Sequence, residues 1–402
     1  MKKHWFTLHG DTFLWLKGNT GLVYNADKHA QYIFPLSDKI TNLCQQLLKT
    51  ENLYTVGLTI EEINDNDIIK WINSLISIHA GYLTMNIEFD KRPVSLKPIL
   101  KVQDNKNYYR TEHQRGFKGK ILQNLHELTF YINGSEHGNY TYFKQHLFPL
   151  KNSQVLDSAK IQSFIKNSKY PFLSNINIVG NLFFYPDFEK FINDISDFSI
   201  PCKIHVMMQD WLDHILQINK IEWPDHFEFN LLADSGFDVL RLKDLSLPFS
   251  ITAFIFSEED YMQFENIFES FPSDLQVRII PLFNKRNLHF FESHVYIEKD
   301  EMDSIKLSKN EIFIRQTFNT GDFGKLTVMP DENVYANVND APLGTINDSP
   351  YSLVYKEFTE GKAWFKIREQ APCKNCIYQW LCPSPSNYET ALGRPNLCHI
   401  KQ

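Results

Sequence analysis

Between residues 128 and 282 the chain alternates short runs rich in apolar, β-branched and aromatic residues with stretches of helical spacing. The strand-like runs fall at 128–133, 175–180, 202–207, 228–232, 250–256 and 276–282. Each but the last is followed by a helix-like segment, clearest at 187–195, 210–218, 237–245 and 258–271. Strands that alternate with helices pair in parallel, because a crossover helix returns the chain to the same end of the sheet. The expected class is therefore α/β, and six units fit a partial (βα)6 barrel of TIM type. No G-x-G-x-x-G opens any of these helices, which leaves a dinucleotide-binding open sheet unsupported.

A chain of 402 residues with 43% hydrophobic content is long enough for several cores. Four units are expected: 1–90, a connector 91–124, the barrel 125–310 and a tail 311–402. The net charge of −7 supplies no overall basic field for nucleic acid. No apolar run reaches a membrane span and no signal-peptide core follows the first residues, so a cytoplasmic protein without membrane or nucleic-acid partners is expected.

Six cysteines in a large chain of this kind argue against a disulfide framework. Cys44 and Cys202 read as buried thiols. Cys373, Cys376 and Cys382 stand at C-x2-C-x5-C spacing, and Cys398 follows after fifteen further residues. Four thiolates from one loop-rich segment can close around zinc or hold an iron–sulfur cluster. Trp380 and Tyr378 between the ligands read as packing groups, and His399 as a surface imidazole.

Residues 1–90 open with strand-like segments at 12–18, 21–25 and 31–36, joined by Gly18-Asn19 and Asp27-Lys28 turns. After Ser37-Asp38, Ile40, Leu43, Cys44, Leu47 and Leu48 recur at helical spacing. A second helix carries Ile68, Trp71, Ile72 and Leu75 and stops before Gly81, with a last strand at 82–87. This resembles a winged helix-turn-helix. DNA binding is disfavoured, because these residues hold seven Lys/Arg against ten Asp/Glu and the second helix opens with Asp65 and Asp67. The connector is locally basic, with nine Lys/Arg against two acids, and reads as a solvated linker.

The acidic winged unit resembles the recognition element of ribosomal peptide (RiPP) maturation systems. In that family a leader peptide adds as a strand to the sheet edge beside the last helix. The resemblance implies a peptide groove from Tyr32, Ile33, Phe34, Ile68, Trp71, Ile72 and Leu75.

With the barrel and the cysteine tail, the whole chain resembles a radical SAM peptide-modifying enzyme with a SPASM extension. Such enzymes keep C-x3-C-x2-C after the first barrel strand. Here Glu136, Tyr140 and Phe143 stand at those places, and none can replace a thiolate. The Gly-Gly-Glu-Pro that ends the second strand is represented by Val179-Gly180-Asn181-Leu182, with one glycine kept and the acid lost. In the tail, Asn337 and Ser386 stand at ligand places of the first auxiliary cluster and Glu332 at a glycine place. Cys373, Cys376, Cys382 and Cys398 retain the full set for the second.

The chain thus looks like a pseudo-radical-SAM, SPASM-like protein of Bacteroidales-type peptide maturation systems. The resemblance implies a non-catalytic protein that binds precursor peptide and a partner radical SAM maturase. One [4Fe–4S] cluster, or alternatively Zn2+, is expected on the four cysteines, and no S-adenosylmethionine. The competing expectation is an enzyme with other chemistry at the barrel mouth, where Glu136, His137, Tyr140 and Tyr142 lie. A DNA-binding regulator with a metal-sensing tail is a weaker third.

Overall fold

The computed structural model describes residues 3–86, 92–100, 105–116, 120–151, 153–169, 171–218, 220–234, 248–269 and 275–400. The expected helix at 237–245 lies outside them.

The first unit contains strands β1 (Lys3–Leu8), β2 (Thr12–Lys17), β3 (Thr20–Asn25), β4 (Ala30–Pro35), β5 (Thr55–Leu58) and β6 (Gly81–Asn86). They form two antiparallel sheets ordered β5-β1-β6 and β2-β3-β4. Ser37 caps helix Asp38–Leu48 by accepting from the Ile40 amide, and Asp65 caps Asn66–Ser77 by accepting from Asp67 and Ile68. The two caps start the helices at the points where the apolar faces begin. Those faces meet the sheets in a core where Trp71 lies 5.7 Å from the rings of both Phe6 and Phe34. Cys44 is buried there, and Cys202 is buried in the larger core, as expected of packing thiols.

The connector differs from the solvated linker that its charge suggested. Ser95 N–H donates to Leu53 O at 3.1 Å, Arg92 to Thr55 O at 3.1 Å and Lys97 to Leu48 O at 2.8 Å. These long cations satisfy backbone carbonyls along β5 and the end of the first helix. Helix Asn105–Gln114 then packs Tyr109 against Phe358, with ring centroids 4.8 Å apart.

All six expected strands of the large unit are present: β7 (Glu127–Tyr131), β8 (Asn175–Val179), β9 (Cys202–Met207), β10 (Phe227–Ala233), β11 (Phe249–Ile255) and β12 (Val277–Pro281). They pair in parallel and in chain order. The sheet is larger than the six expected units. Strand β13 (Lys325–Val328) adds in parallel to the open edge of β7, and β14 (Asn333–Tyr335) and β15 (Gly344–Thr345) follow antiparallel, giving nine strands. The expected boundary at 310 therefore does not divide the sheet. The six parallel strands leave β7 unpaired on one side, and β13 from the tail satisfies that edge.

Side chains alternate across this sheet. Leu128, Phe130, Ile176, Ile178, Ile204 and Leu231 face the helices in the main core. The opposite, inner face carries a polar row at its lower end: Asn177 Oδ1 and His205 Nε2 lie 3.0 Å apart, and His205 Nδ1 meets Asn230 at 3.0 Å. Asn230 also accepts from Thr252 at 3.0 Å. Burial pushes the His205 imidazole down to about 3, so it stays neutral within this row.

Candidate metal centre, strand-end cluster and peptide groove

Above the polar row, at the carboxyl ends of the strands, the inner face turns apolar. Met207, Leu232, Phe254 and Leu282 form a cluster around Phe148, which is 2% exposed. Phe148 belongs to the loop after β7, the segment in which the resemblance looks for three thiolates. That loop is held from several directions. Gln145 exchanges hydrogen bonds with the backbone of Phe283 at 2.8 and 2.9 Å. Asn339 donates to Lys144 O at 2.8 Å, and His146 meets the Tyr388 hydroxyl at 2.5 Å. Burial, followed by the Arg278 charge, holds His146 down at about 4, in keeping with a neutral ring in this plug.

The Gly180 position is equally filled. Its φ is +143°, and an added Cβ would lie 2.4 Å from Asn133 Oδ1, so only glycine fits. Beyond it, Asn133 Nδ2 donates to Asn181 O at 2.7 Å while Asn181 N–H donates to Asn133 Oδ1 at 2.8 Å.

Of the residues proposed for other chemistry here, Glu136 and Tyr140 point to solvent, and Tyr142 packs edge-on against Phe148. His137 Nε2 stands 3.9 Å from Asp210 Oδ1. Sequence reasoning missed Ser135 and Asp210, whose side chains share a buried hydrogen bond. Burial raises the Asp210 carboxyl, with Ser135 and His137 acting against it. The signal available for Asp210 was its position just after β9, at the strand end where sites of this architecture gather.

The cysteine tail is shaped by consecutive tight turns. Cys376 N–H donates to Cys373 O at 3.0 Å and Cys382 N–H to Tyr378 O at 3.0 Å, which folds three cysteines into one loop. Cys398 arrives through a β-bridge to Ile297. Burial raises the Cys376 and Cys382 thiols, the latter to about 11; the other cysteines' charges add to this and Arg368 opposes it. Cys373 and Cys398 thus act on both Cys376 and Cys382.

Arg368 sits beside them in an ion pair with Glu389 at 2.8 Å, both side chains 7% exposed. It also donates to Cys373 Sγ at 3.6 Å, and Asn396 donates to Cys398 Sγ at 3.1 Å. N–H donors on sulfur and a buried guanidinium suit a dianionic centre with four thiolates, whether zinc or iron–sulfur. Coordination would deprotonate the raised thiols. Among the described residues no three His, Cys, Asp or Glu side chains are grouped tightly enough to hold an ion, so the shell itself is not closed. The donor chemistry fits the group; the geometry of ligation is not formed.

Two places assigned to lost ligands, Asn337 and Ser386, come near each other through Asn387. Asn337 donates to Asn387 Oδ1 at 2.8 Å and to Asp322 at 3.0 Å, next to Ser386, which caps helix Asn387–Leu392. Glu332 has φ +70°, the left-handed conformation that a glycine would adopt without strain.

The seven groove residues divide. Phe34, Ile68, Trp71, Ile72 and Leu75 are interior to the small unit. Tyr32 and Ile33 remain partly exposed on β4, whose outer edge pairs with no other strand among the described residues. Trp380 and Tyr378, expected to pack on the metal loop itself, share an apolar cluster with Phe13, Leu22 and Tyr24 of the small unit. His399 meets Glu292 O at 2.6 Å.

The family described as YorP protein matches residues 91–155, which span the connector, β7 and the plugging loop. No curated protein matches. The solved structures similar to this chain include Streptococcus suis SuiB bound to S-adenosylmethionine, at 10% identity and TM-score 0.46 over 98% of this chain and 99% of that one. They also include SuiB bound to precursor peptide SuiA, at 11% identity and TM-score 0.43 over 100% and 99%. BtrN in complex with AdoMet and 2-DOIA is similar over 59% of this chain and 88% of that one, at 10% identity and TM-score 0.29. No helix among the described residues is long and apolar enough to cross a membrane.

Proposed function

We propose that this chain is a non-catalytic peptide-binding protein of a ribosomal peptide maturation system. It holds the precursor peptide as an added strand on β4 and works beside a catalytically complete radical SAM maturase. The observation that carries this reading is the plug: the loop in which radical SAM chemistry needs thiolates has none and seats Phe148 in the inner face instead. The outer edge of β4, unpaired among the described residues, supplies main-chain groups for strand addition beside helix Asn66–Ser77. The four tail cysteines would hold one [4Fe–4S] cluster or a zinc ion, with all positions taken by thiolate, so the centre would brace the tail and leave no site open for substrate.

The test uses the purified full chain, the precursor peptide SuiA as the first probe, S-adenosylmethionine and a reductant under anaerobic conditions. The expected result is peptide binding without a change in peptide mass, and binding lost in Tyr32→Glu. A mass change produced by this chain alone would overturn the reading in favour of an enzyme, for which the Ser135–Asp210–His137 grouping is the place to look.

A further inference from the structure

A cleft of about 800 Å³ lies between the small unit and the cysteine tail. The turn between β2 and β3 and Ile33 of β4 line one side; Asn375, Cys376, Ile377 and Tyr378 line the other. Its position follows from the pleat of β4. Tyr32 and Phe34 belong to the core shared with helix Asn66–Ser77, while Ile33 belongs to the apolar cluster that contains Cys376 and Cys382. The strand offered to the peptide thus rests one side chain on the segment that carries three of the four candidate ligands. Hydrogen bonds tie the same two parts together. Lys17 Nζ donates to Lys374 O at 2.6 Å and to Gln379 Oε1 at 3.0 Å, and both acceptors lie between Cys373 and Cys382. Gln379 donates to Arg368 O at 2.7 Å, and Arg368 donates to Cys373 Sγ at 3.6 Å. Gln379 and Arg368 are both buried, so the path from the β2–β3 turn to a candidate ligand runs through the protein interior.

We infer that metal binding at the four cysteines regulates peptide binding at β4: the loaded centre stiffens the wall of the cleft and thereby raises peptide affinity. The inference rests on the strand-addition reading above. A strand added to β4 would continue the alternation of that strand, so every second side chain would enter the cleft and meet residues 375–378. Four thiolates on one centre cross-link the segment 373–382 to Cys398. The wall then has fewer conformations to lose when a peptide packs on it, and the smaller ordering cost appears as tighter binding. By linkage the coupling is reciprocal, and bound peptide favours the loaded centre by the same factor.

The probe is a peptide selected from a displayed random library on the metal-loaded full-length protein and kept only if Tyr32→Glu abolishes its binding. Its Kd is measured by calorimetry on protein purified anaerobically and on the same protein after a chelator has removed the metal. Stripped protein should bind about tenfold more weakly. Adding peptide to it should slow amide deuterium uptake across residues 374–382. Lys17→Met leaves every cysteine in place; it should keep its metal content and lose about the same factor in affinity, so the test stands even where the stripped chain unfolds. Unchanged affinity in Lys17→Met, or in stripped protein that remains folded, would overturn the linkage and leave strand addition standing. Deuterium uptake across 374–382 that ignores the peptide would do the same. If no selected peptide depends on Tyr32, strand addition falls and the linkage with it.

Discussion

Asn133 and Asn181 exchange two hydrogen bonds, at 2.7 and 2.8 Å, across the ends of β7 and β8. Both residues are buried, and the clasp lies directly on Gly180. It closes the strand ends where the resemblance would seat the amino group of a cofactor. Removing one partner strands the other, which is costlier than losing a solvent-exposed bond. Asn133→Ala should therefore lower unfolding free energy by roughly 2–4 kcal/mol. Urea denaturation followed by circular dichroism measures this; a loss within about 0.5 kcal/mol would show that water replaces the clasp without penalty.

The plug makes a sharper claim about volume. Phe148 is surrounded by Met207, Leu232, Phe254 and Leu282, so truncation removes a full aromatic ring from a packed space. Phe148→Ala should cost about 3–5 kcal/mol, and Phe148→Leu clearly less. If the loop instead swings out of the inner face in solution, both variants would unfold at nearly the wild-type urea concentration.

How much of this was legible beforehand depended on where the information is stored. Short runs rich in apolar residues located β7 to β12, because β7 to β11 are largely buried on both faces and announce themselves in sequence, while the edge strand β12 is only partly buried. Strands β1 and β5 went unread: β5 has four residues including Gly57, and its pairing with β1 is decided by the fold rather than by local preference. The attachment of β13 to β7 depends on an edge left open elsewhere in the fold, which no local pattern records. Among the candidate site residues, the four cysteines were singled out by their spacing alone. Among the expected groove residues, period alone could not separate Phe34 or Trp71, which build the core, from Tyr32, which is partly exposed. Ser135 and Asp210 meet across 75 positions of sequence, and nothing local records that contact.

A buried carboxyl gives the stability a particular pH dependence. Glu357 is 1% exposed, and burial pushes its pKa from 4.5 up to about 7, although the amide of Trp364 donates to it at 2.9 Å. Because the folded pKa is raised, the native state favours the protonated acid. The resulting stability is fully present below about pH 4.5 and is lost as pH rises through 7. The shift corresponds to at most about 3 kcal/mol. Glu357→Gln should flatten this part of the profile when unfolding is measured between pH 4.5 and 7.5 against wild type. An unchanged slope would mean that Glu357 is already ionised in the native state.

The cysteine tail joins the small unit to the large sheet, and this gives metal binding a structural consequence. Leu381 and Tyr378 pack with Phe13, Leu22 and Tyr24, and Tyr378 donates to Asp303 at 2.8 Å, so the loop between the cysteines is also an interface. An ion or cluster held by four thiolates contributes its binding free energy to that interface, since a disordered loop cannot preserve the same ligand set. Anaerobically purified protein should contain either about four irons with matching sulfide or one zinc per chain. Cys373→Ser and Cys398→Ser should each lose that content and unfold at lower temperature, with proteolysis appearing first between the small unit and the tail. Cys44→Ser should keep the metal, because Cys44 lies in a separate core. Full metal content in the tail variants would remove these cysteines from the ligand set. Loss of metal with no change in proteolysis would instead place the centre outside the interface that Tyr378 and Leu381 make.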